Sequence, residues 1–553
     1  MQQNNYILAL DQGTTGSTAI LFDAHGQTVS RGYQPIDQIF PKAGWVEHNP
    51  IELFEKTLQA AHDAILSARI NSKNIKGIGI SNQRETTVVW NKKTLEPIHN
   101  AIVWQCRRST PLCNRMRMEG RNTWIQEKTG LIIDPYFSAT KLSWLIDNID
   151  TCRSLLLTGD LAFGTVDSWL IAKLTQSKTH LTDFTNASRT LCYNIHDRSW
   201  DDELLNYFNF PIELFPRVLN SIDDYGLTQK EHLGSEIPIL AVAGDQQASL
   251  YGHGCVSPGQ TKCTFGTGAF ALSITGARVA PSMGKAHGAS PSNRFAVGNF
   301  SKSTPGVSPG DAPSASEAAK VNTTDVSPEK FICDQQVHSP KDGFLLTLAC
   351  KQNGTPTFAL EGSIFVAGAA LQWLKDQLDL FVNSSDTQDL AMSVESSEGV
   401  VFIPTFSGLG TPHWNPNVRA AILGLTRGTS KAHIIRGALE SVAFQANDLI
   451  VGLDRCQGYS LKALQIDGGM ANNSFFTYFL SSILQMPITV PQLSDITAYG
   501  AAKLCANHQS MKTDFNFKSP NTTVIEPEMS SEQRNEHLRA WEKAVQCVID
   551  FAS

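Results

Sequence analysis

Several short polar segments could carry out chemistry, because each follows an apolar run of strand length. The first, DQGTT at residues 11–15, follows Tyr6–Leu10. A glycine at a tight tip lets the backbone approach phosphate oxygens, and NH groups and threonine hydroxyls can donate to them. Asp11 is a hard oxygen ligand that suits Mg²⁺, directly or through water. An ordinary hairpin turn is the alternative, since turns rich in Asp and Gly are common. The segment Gly266-Thr267-Gly268 has similar chemistry and the same alternative.

A second candidate is Asp245, in the segment GDQQ that follows the apolar run IPILAVA. A carboxylate at a strand end can accept the proton of a hydroxyl group as that group attacks phosphorus. A helix N-cap aspartate would look the same in sequence. The residues alone leave both interpretations open.

Two further segments carry groups suited to a polyhydroxy ligand and to a nucleotide base. Arg84 and Glu85 stand side by side after an apolar run, so that one can donate to a hydroxyl and the other accept from the next. A surface salt bridge is the alternative. After another run, Asp467-Gly468-Gly469 offers glycines against which a flat base could lie, although a strand-to-helix turn would read the same way.

The elements that must position these residues follow from the hydrophobic pattern. Ile51–Ala68 has apolar residues at helical spacing. Two hairpins are predicted, one around residue 14 and one around residue 267, and the polar segments collect at strand ends, where ligands bind in open α/β sheets. The predicted strands are Tyr6–Leu10, Thr18–Phe22, Ile75–Ile80, Pro238–Val242, Lys262–Phe265, Phe270–Ile274, Val400–Pro404 and Ala463–Ile466.

Length and composition bound the class of protein. A chain of 553 residues predicts two large domains, and the two similar hairpins predict related halves that meet near residues 250–255. A formal charge of −7 argues against a nucleic-acid partner. Eleven cysteines without CxxC pairs are typical of reduced thiols in a cytosolic protein. We expect neither a signal peptide nor a membrane span, and the sequence contains neither a P-loop nor a GxGxxG motif that opens a helix.

One segment, roughly 279–341, differs in composition from the rest. It is rich in Ser, Pro, Gly and Ala and poor in large apolar residues, as in STPGVSPGDAPSASEAA. Such a segment cannot bury enough apolar surface to offset its ordering entropy. The composition predicts a disordered surface insertion.

Taken together, the motifs resemble those of the glycerol-kinase branch of the FGGY carbohydrate kinases, within the actin-like ATPase superfamily. The resemblance spans nearly the whole chain outside the insertion. It is carried by the stretches LALDQGTTGSTAILFD, GISNQRETTVVWNKKTLEPIHNAIVWQCRRS, IDPYFSATKLSWLIDN, AGDQQASLYG, TFGTGAF, ALEGSIFVAGAALQWL, FSGLGTPHWNP, DGGMANN and TAYGAAKLCA. It implies an α/β fold of two RNase-H-like domains around a central cleft, with domains at 1–252 and 253–553.

The resemblance also implies an activity and its residues. ATP and Mg²⁺ would serve to phosphorylate glycerol to sn-glycerol 3-phosphate and ADP, the first step of glycerol catabolism, in the cytoplasm. Asp245 would be the general base, and Asp11 would lie near Mg²⁺. Glycerol would be bound by Arg84, Glu85, Trp104, Tyr136, Asp245, Gln246 and Phe270. ATP would be bound by Thr14, Thr15, Thr267, Gly368, Gln372, Gly469 and Asn473. Relatives commonly form homo-oligomers, either dimers or tetramers.

The sequence departs from the family pattern in three places. Gly16 and Thr18 replace a serine and an arginine of the usual DQGTTSSRA, so that a phosphate-facing cation is expected to be missing. Only Met470 separates Gly469 from the ANN motif, where relatives have two residues. Asn473 therefore takes the family's asparagine position in an ungapped alignment, and Asn472 takes it if the ANN motifs are aligned. The insertion itself is the third departure.

Two alternatives to a glycerol kinase remain at this point. One is a kinase of another small polyol, against which the retained Arg84, Glu85, Trp104 and Tyr136 argue. The other is a non-enzymatic actin-like protein, which the changed hairpin favours and the intact Asp11 and Asp245 oppose. Release of ADP with glycerol, with other polyols and with no polyol distinguishes the three.

Overall fold

The structure is a computed structural model that describes residues 5–176, 179–275, 343–406, 408–415, 417–457, 461 and 463–552. The predicted disordered insertion at 279–341 lies outside the described residues. The described residues form two mixed β-sheets, each covered by helices.

The first half of the chain contains a five-stranded sheet and several short two-stranded ribbons. Its strands are β1 (Tyr6–Gln12), β2 (Gly16–Phe22), β3 (Thr28–Pro35), β4 (Glu47–His48), β5 (Ile75–Asn82), β6 (Val88–Asn91), β7 (Ala101–Ile102), β8 (Leu161–Gly164), β9 (Leu181–Asp183), β10 (Tyr193–Asn194), β11 (Ser199–Trp200), β12 (Arg217–Leu219) and β13 (Ile239–Gly244). The five-stranded sheet has the order β13-β5-β1-β2-β3.

The helices of this half pack around two apolar clusters, one on the five-stranded sheet and the other rich in aromatic residues. They are α1 (Pro50–Ala68), α2 (Thr110–Met118), α3 (Asn122–Thr129), α4 (Ser138–Asn148), α5 (Asp150–Thr158), α6 (Val166–Leu174), α7 (Phe184–Ala187), α8 (Asp202–Phe208), α9 (Lys230–Leu233) and α10 (Asp245–Gly252). The predicted helix Ile51–Ala68 is confirmed as α1. Asn49 caps it by accepting from the NH of Ile51, Pro50 starts it, and Arg69 ends it in the left-handed region.

The second half contains a seven-stranded sheet of order β16-β17-β15-β14-β20-β21-β22. The strands of this sheet are β14 (Thr261–Phe265), β15 (Ala269–Ile274), β16 (Leu345–Cys350), β17 (Pro356–Ile364), β20 (Leu464–Asp467), β21 (Ile488–Pro491) and β22 (Thr522–Ile525). A separate two-stranded ribbon consists of β18 (Val401–Ile403) and β19 (Ala421–Leu423). The helices of this half are α11 (Gly368–Asp376), α12 (Asp386–Met392), α13 (Lys431–Gln457), α14 (Ser474–Leu484), α15 (Ile496–Ala506) and α16 (Ser531–Phe551).

The two sheets share one pattern of strand order and direction. In the first, β13, β5 and β1 run parallel, and β2 and β3 follow, each antiparallel to the strand before it. In the second, β21, β20 and β14 run parallel, and β15 and β17 follow, each antiparallel to the strand before it. Both predicted hairpins are confirmed, as β1–β2 and β14–β15. The strand β2 begins two residues earlier than predicted, because the NH of Gly13 already donates to the carbonyl of Gly16.

Two helices, α10 and α15, pack against each other between the sheets. Helix α15, from the second half of the chain, lies on β1, β5 and β13 of the first sheet. Helix α10, from the first half, contacts β14 and β15 of the second sheet. A Cβ atom on Gly500 would approach the carbonyl oxygen of Ala248 to 1.8 Å, so that only glycine permits this spacing. The two helices therefore tie each half of the chain to the sheet of the other.

Candidate active site

A cavity of about 240 Å³ opens where the strands of the first sheet end, between the tips of the two hairpins. Polar and aromatic side chains from both halves of the chain line it: Thr14, Thr15, Gln38, Arg84, Glu85, Trp104, Gln105, Tyr136, Asp245, Gln246, Thr264, Gly266, Thr267, Gly268 and Phe270. Every residue that sequence reasoning assigned to glycerol lines this cavity.

Arg84 and Glu85 lie in the buried wall of the cavity, with 2% and 1% of their surface exposed. The alternative of a surface salt bridge is therefore wrong. Glu85 has a φ of +62°, a left-handed conformation that a glutamate seldom adopts. Lys141 supports this turn, since its ammonium donates to the carbonyl oxygens of Tyr136 and Phe137 and lies 3.5 Å from that of Glu85.

Two charged residues that sequence reasoning missed hold Arg84 and Glu85 in place. Glu361, on β17, accepts from Nη1 and Nη2 of Arg84 at 2.7 and 2.9 Å, which is a bidentate ion pair. Arg189 bridges the two glutamates, with Nε 2.5 Å from Glu85 and Nη2 3.0 Å from Glu361. The one signal in the sequence was a glutamate inside the otherwise apolar run TFALEGSIF.

Asp245 is the first residue of α10, and Gly244 occupies the N-cap position. The N-cap interpretation of Asp245 is therefore wrong. Its Oδ1 accepts from the NH of Gln246 at 2.7 Å and lies 3.5 Å from Nε of Arg84. Gly244 is required here, because a Cβ atom would approach the Arg84 side chain to 2.6 Å. Burial raises the pKa of Asp245, and the Arg84 and Lys262 cations act in the opposite direction.

Three aromatic side chains form an apolar wall. The Trp104 ring meets Tyr136 edge-to-face at 5.6 Å and Phe270 at 6.0 Å between centroids. Nε1 of Trp104 donates to Oγ1 of Thr14 at 2.9 Å, so that the same side chain also anchors the first hairpin tip. Such a wall can contact the carbon skeleton of a small polyol, while the charged groups contact its hydroxyls.

Asp11 lies at the base of the first hairpin and accepts from Oγ of Ser81 at 2.7 Å. Burial, together with the nearby carboxylates of Asp245 and Asp495, raises the pKa of Asp11 to about 7, although the hydrogen bond from Ser81 lowers it. A bound cation would offset the cost of burying the ionised carboxylate. Asp11 therefore suits the role of one hard oxygen ligand of Mg²⁺. Within the described ranges, no three His, Cys, Asp or Glu side chains form a metal-binding cluster. This arrangement suits Mg²⁺ held by one or two carboxylates together with substrate phosphates.

The remaining residues assigned to ATP lie outside this cavity. The NH of Gly368 donates to the carbonyl of Gly266 at 2.9 Å, which places the start of α11 against the second hairpin tip. Gln372 is exposed, and its Nε2 donates a hydrogen bond to the carboxylate of Asp376. Apart from its two chain neighbours, no described residue has an atom within 4 Å of where a Cβ of Gly469 would stand, which leaves room above that loop.

Asn473, one of the residues predicted to bind ATP, has a structural task. Asn473 caps α14, with its Oδ1 accepting from the NH of Phe476 at 3.0 Å and its Nδ2 donating to Thr387 at 3.1 Å. Asn472 is exposed at the same loop. Asn472 is therefore the more exposed of the two asparagines, whereas the ungapped alignment places Asn473 at the family's position.

A cation does lie at the altered hairpin. Thr18 pairs with Asp11 across β1 and β2, and Arg31 on β3 places Nη2 3.5 Å from Oγ1 of Thr18. Nε of Arg31 lies 3.4 Å from the carboxylate of Asp495, and its side chain is 46% exposed. We expected a missing cation from position 18 alone, because the sequence does not indicate that β3 runs beside β2.

Comparison with known proteins decides the family. Residues 6–252 match the N-terminal domain of the FGGY family of carbohydrate kinases, and residues 331–508 match its C-terminal domain. The chain belongs to the FGGY family of carbohydrate kinases. The predicted fold class, two actin-like ATPase domains of mixed α/β structure, is thereby confirmed.

Within this family, the chain is similar to glycerol kinases over its whole length. It is 42% identical to a glycerol kinase of Thermoanaerobacter sp. (strain X514) over 550 residues, which covers 99% of each chain. It is 39% identical to one of Haemophilus influenzae, covering 100% of this chain and 99% of the relative. The crystal structure of Plasmodium falciparum glycerol kinase with ADP superposes with a TM-score of 0.78 at 30% identity, covering 99% and 98% of the two chains. In the described parts of this FGGY kinase, no helix has the length and apolarity to cross a membrane.

Proposed function

We propose that this FGGY kinase transfers the γ-phosphoryl group of ATP to glycerol, with sn-glycerol 3-phosphate and ADP as products, as the first step of glycerol catabolism. The observation that carries the proposal is the convergence of Arg84, Glu85, Tyr136 and Asp245 in one cavity below the two hairpin tips. A triol needs several donors and acceptors in fixed places, since a buried polar group left without a partner is costly. Full-length identity of about 40% to glycerol kinases supports the same substrate.

In this proposal, each residue of the cavity has a separate task. Arg84 donates to a glycerol hydroxyl, and Glu85 accepts from another. Trp104 and Phe270 contact the carbon chain, while Tyr136 closes the wall and Gln246 assists. Asp245 accepts the proton of the attacking hydroxyl, which is almost fully protonated at neutral pH and so needs a positioned acceptor.

ATP is proposed to lie across the two hairpins and the loop after β20. Backbone NH groups and the hydroxyls of Thr14, Thr15 and Thr267 donate to phosphate oxygens. Asp11 holds Mg²⁺, which neutralises charge on the phosphates when it is bound. Gly368, Gln372, Gly469 and either Asn473 or Asn472 contact the rest of the nucleotide, and Arg31 supplies the cation that Thr18 does not.

Three coarser parts of the proposal concern the whole protein. We place the domain boundary at 252–253, consistent with the family match that ends at residue 252. The enzyme is expected in the cytoplasm, where ATP is available, and as a homo-oligomer, either a dimer or a tetramer. Light scattering of the purified chain measures the last of these directly.

A coupled ADP-release assay tests the function. We expect release that depends on glycerol, with other small polyols weaker and the polyol-free rate near background. Faster release with another polyol would indicate a kinase of that compound. A rate at background with every polyol, from a folded protein that binds ATP, would favour the non-enzymatic alternative.

A further inference from the structure

Lys262 is a charged residue beside the site that the proposed mechanism does not use. It lies on β14, its side chain is entirely buried, and it is not among the residues that line the cavity. Its Nζ donates to Oε1 of Gln246 at 2.5 Å and to Oγ1 of Thr264 at 2.7 Å, and both of these acceptors belong to cavity-lining residues. Burying an ammonium group is expensive, so a fully buried lysine next to a site is a candidate for a functional role.

The ammonium of Lys262 determines which way the Gln246 amide faces. An ammonium group has only donors, so the amide oxygen must point toward Lys262 and the amide NH₂ must point away from it. The backbone NH of Gln246 in turn donates to Oδ1 of Asp245 at 2.7 Å. The result is a chain of hydrogen bonds that runs from Lys262 through Gln246 to Asp245.

The charges around this chain come from several elements. Asp245, on α10, faces Arg84 from the loop after β5, Lys262 from β14 and, at longer range, Asp11 from β1. Burial raises the pKa of Asp245, whereas the Arg84 and Lys262 cations lower it. The Lys262 charge is therefore one of two that favour the ionised carboxylate.

Lys262 has a second carboxylate neighbour, Asp467, at the end of β20. Burial lowers the pKa of Lys262, and the charge of Arg84 lowers it further. The carboxylates of Asp467 and Asp245 oppose this shift, and the effect of Asp467 is the larger of the two. Asp467 already accepts from Nε2 of His253 at 2.7 Å and from Oγ of Ser249 at 2.8 Å. The two hydrogen bonds that Lys262 donates go instead to Gln246 and Thr264, both of which line the cavity.

We propose that Lys262 is a positioning residue for phosphoryl transfer, one that fixes Asp245 through Gln246 and keeps its carboxylate ionised to accept the substrate proton. The proposal rests on the proposed function, because it assigns a partner to the base of that reaction. Lys262 touches neither substrate nor phosphate in this role. Its effect is on the geometry and charge of Asp245.

The test compares Lys262→Met, which keeps most of the length of the side chain and removes the charge, with Lys262→Arg, which keeps the charge. In Lys262→Met we expect kcat to fall by up to about 100-fold, the scale of a small misplacement at a reacting centre. We also expect the acidic limb of kcat/KM for glycerol to move up by about one pH unit, at the lower end of the effect of a neighbouring charge. In Lys262→Arg the limb should stay in place, and the KM for ATP should change little in both variants.

Lys503→Met is the matched control. Lys503 is a half-buried lysine on α15 that lies over the Tyr251 ring, away from the cavity, and burial also lowers its pKa. Its removal should leave the pH profile unchanged. A folded Lys262→Met enzyme with the wild-type acidic limb and kcat would overturn the inference, as that result would mean that Lys262 only ties α10 to β14.

If Lys262→Met does not fold, Lys262→Gln decides in its place, since it is neutral and still donates to Gln246. The same upward shift of the acidic limb is expected, and an unmoved limb contradicts the proposal. The inference and the proposed function fail in different ways. Wild-type protein without glycerol-dependent ADP release contradicts the function, whereas an active wild type with an unaffected Lys262 variant contradicts only the inference.

Discussion

At the scale of single residues, the site consists of charged groups withdrawn from water and paired with one another. Arg84 contacts Glu361, Gln247 and Asp245, and Glu85 contacts Arg189. Pairing of this kind fixes side chains in one geometry, which a reaction that depends on positioning requires. The residue that remains partly open to the cavity is Asp245, whose side chain is 29% exposed.

Replacing the base tests its role directly. Asp245→Asn should lower kcat about 10²–10⁴-fold, because the amide cannot accept the hydroxyl proton, while ATP binding changes little. Asp202→Asn is the control, since Asp202 is also the first residue of a helix, α8, but is exposed. An Asp245→Asn enzyme with near wild-type turnover would remove this residue from the mechanism.

The burial of Asp245 also predicts a pH dependence. Burial raises the pKa of Asp245 above its ordinary value of 3.8, so that the proton is retained to higher pH than in an exposed aspartate. Only the ionised form accepts a proton, so activity should be present above this pKa and decline as the pH falls through it. A profile of kcat/KM for glycerol measures the limb, and circular dichroism over the same range excludes unfolding. Full activity down to pH values near 3.8 would contradict the assignment.

Sequence reasoning found the residues of the cavity but not the residues that support them. Arg84 and Asp245 follow apolar strands, and their types and positions are readable from the chain. Glu361, in contrast, stands 277 residues from Arg84 and inside an apolar run, so its partner is known only once the sheets are assembled. Lys262 was likewise predicted only as the first residue of a strand, because its partner Gln246 is known only from the assembled structure.

At the scale of elements, the hairpins and strands were predicted well because glycine-rich tips separate short apolar runs. The predicted bounds differ from the observed ones by one or two residues at most ends, as in Pro238–Val242 against β13. The neighbours of an element were harder to predict. The register of β2 against β3 brings Arg31 beside Thr18, and nothing in the linear sequence specifies that register.

The position of Arg31 predicts a role at the phosphate hairpin. Arg31→Ala should raise the KM for ATP from a few-fold to about tenfold, since a charge-assisted hydrogen bond from a partly exposed arginine is of modest strength, and leave the KM for glycerol unchanged. Adding Thr18→Arg to that variant should restore the affinity for ATP. Arg153→Ala, at an exposed pair on α5, is the control. An unchanged KM for ATP in Arg31→Ala would show that the hairpin needs no cation at this place.

At the scale of the whole molecule, the two halves are joined through charges as well as helices. Glu361 belongs to the second sheet, whereas Arg84 and Arg189 belong to the first half of the chain. The same contacts that hold Arg84 and Glu85 in the cavity wall therefore connect the two halves. The swapped positions of α10 and α15 make a second connection next to the first.

Removing the charge of Glu361 should therefore affect both stability and substrate binding. Glu361→Gln leaves two buried guanidinium groups short of a partner, and breaking a buried pair costs about 3–5 kcal/mol. The Arg189 and Arg84 cations outweigh burial and hold the pKa of Glu361 below its ordinary 4.5. Its contribution to stability is thus fully present above the ordinary pKa of 4.5 and is lost as the pH falls from there through the lowered pKa, so the variant should show a weaker acid dependence.

Thermal unfolding across pH, together with the KM for glycerol, measures both effects of Glu361→Gln. Asp150→Asn removes an exposed pair with Arg153 and should change stability by about 1 kcal/mol or less. Equal stability of Glu361→Gln and the wild type at neutral pH would mean that the buried pair is not a connection between the halves.

The central claim is that this FGGY kinase phosphorylates glycerol at the cavity of Asp245, and the product tests it most directly. Purified protein is incubated with ATP, Mg²⁺ and glycerol, and the product is detected with a dehydrogenase specific for sn-glycerol 3-phosphate. We predict sn-glycerol 3-phosphate in a one-to-one ratio with ADP for the wild type, and a loss of both in Asp245→Asn. ADP formation without sn-glycerol 3-phosphate, or equal product from the Asp245→Asn variant, would contradict the account.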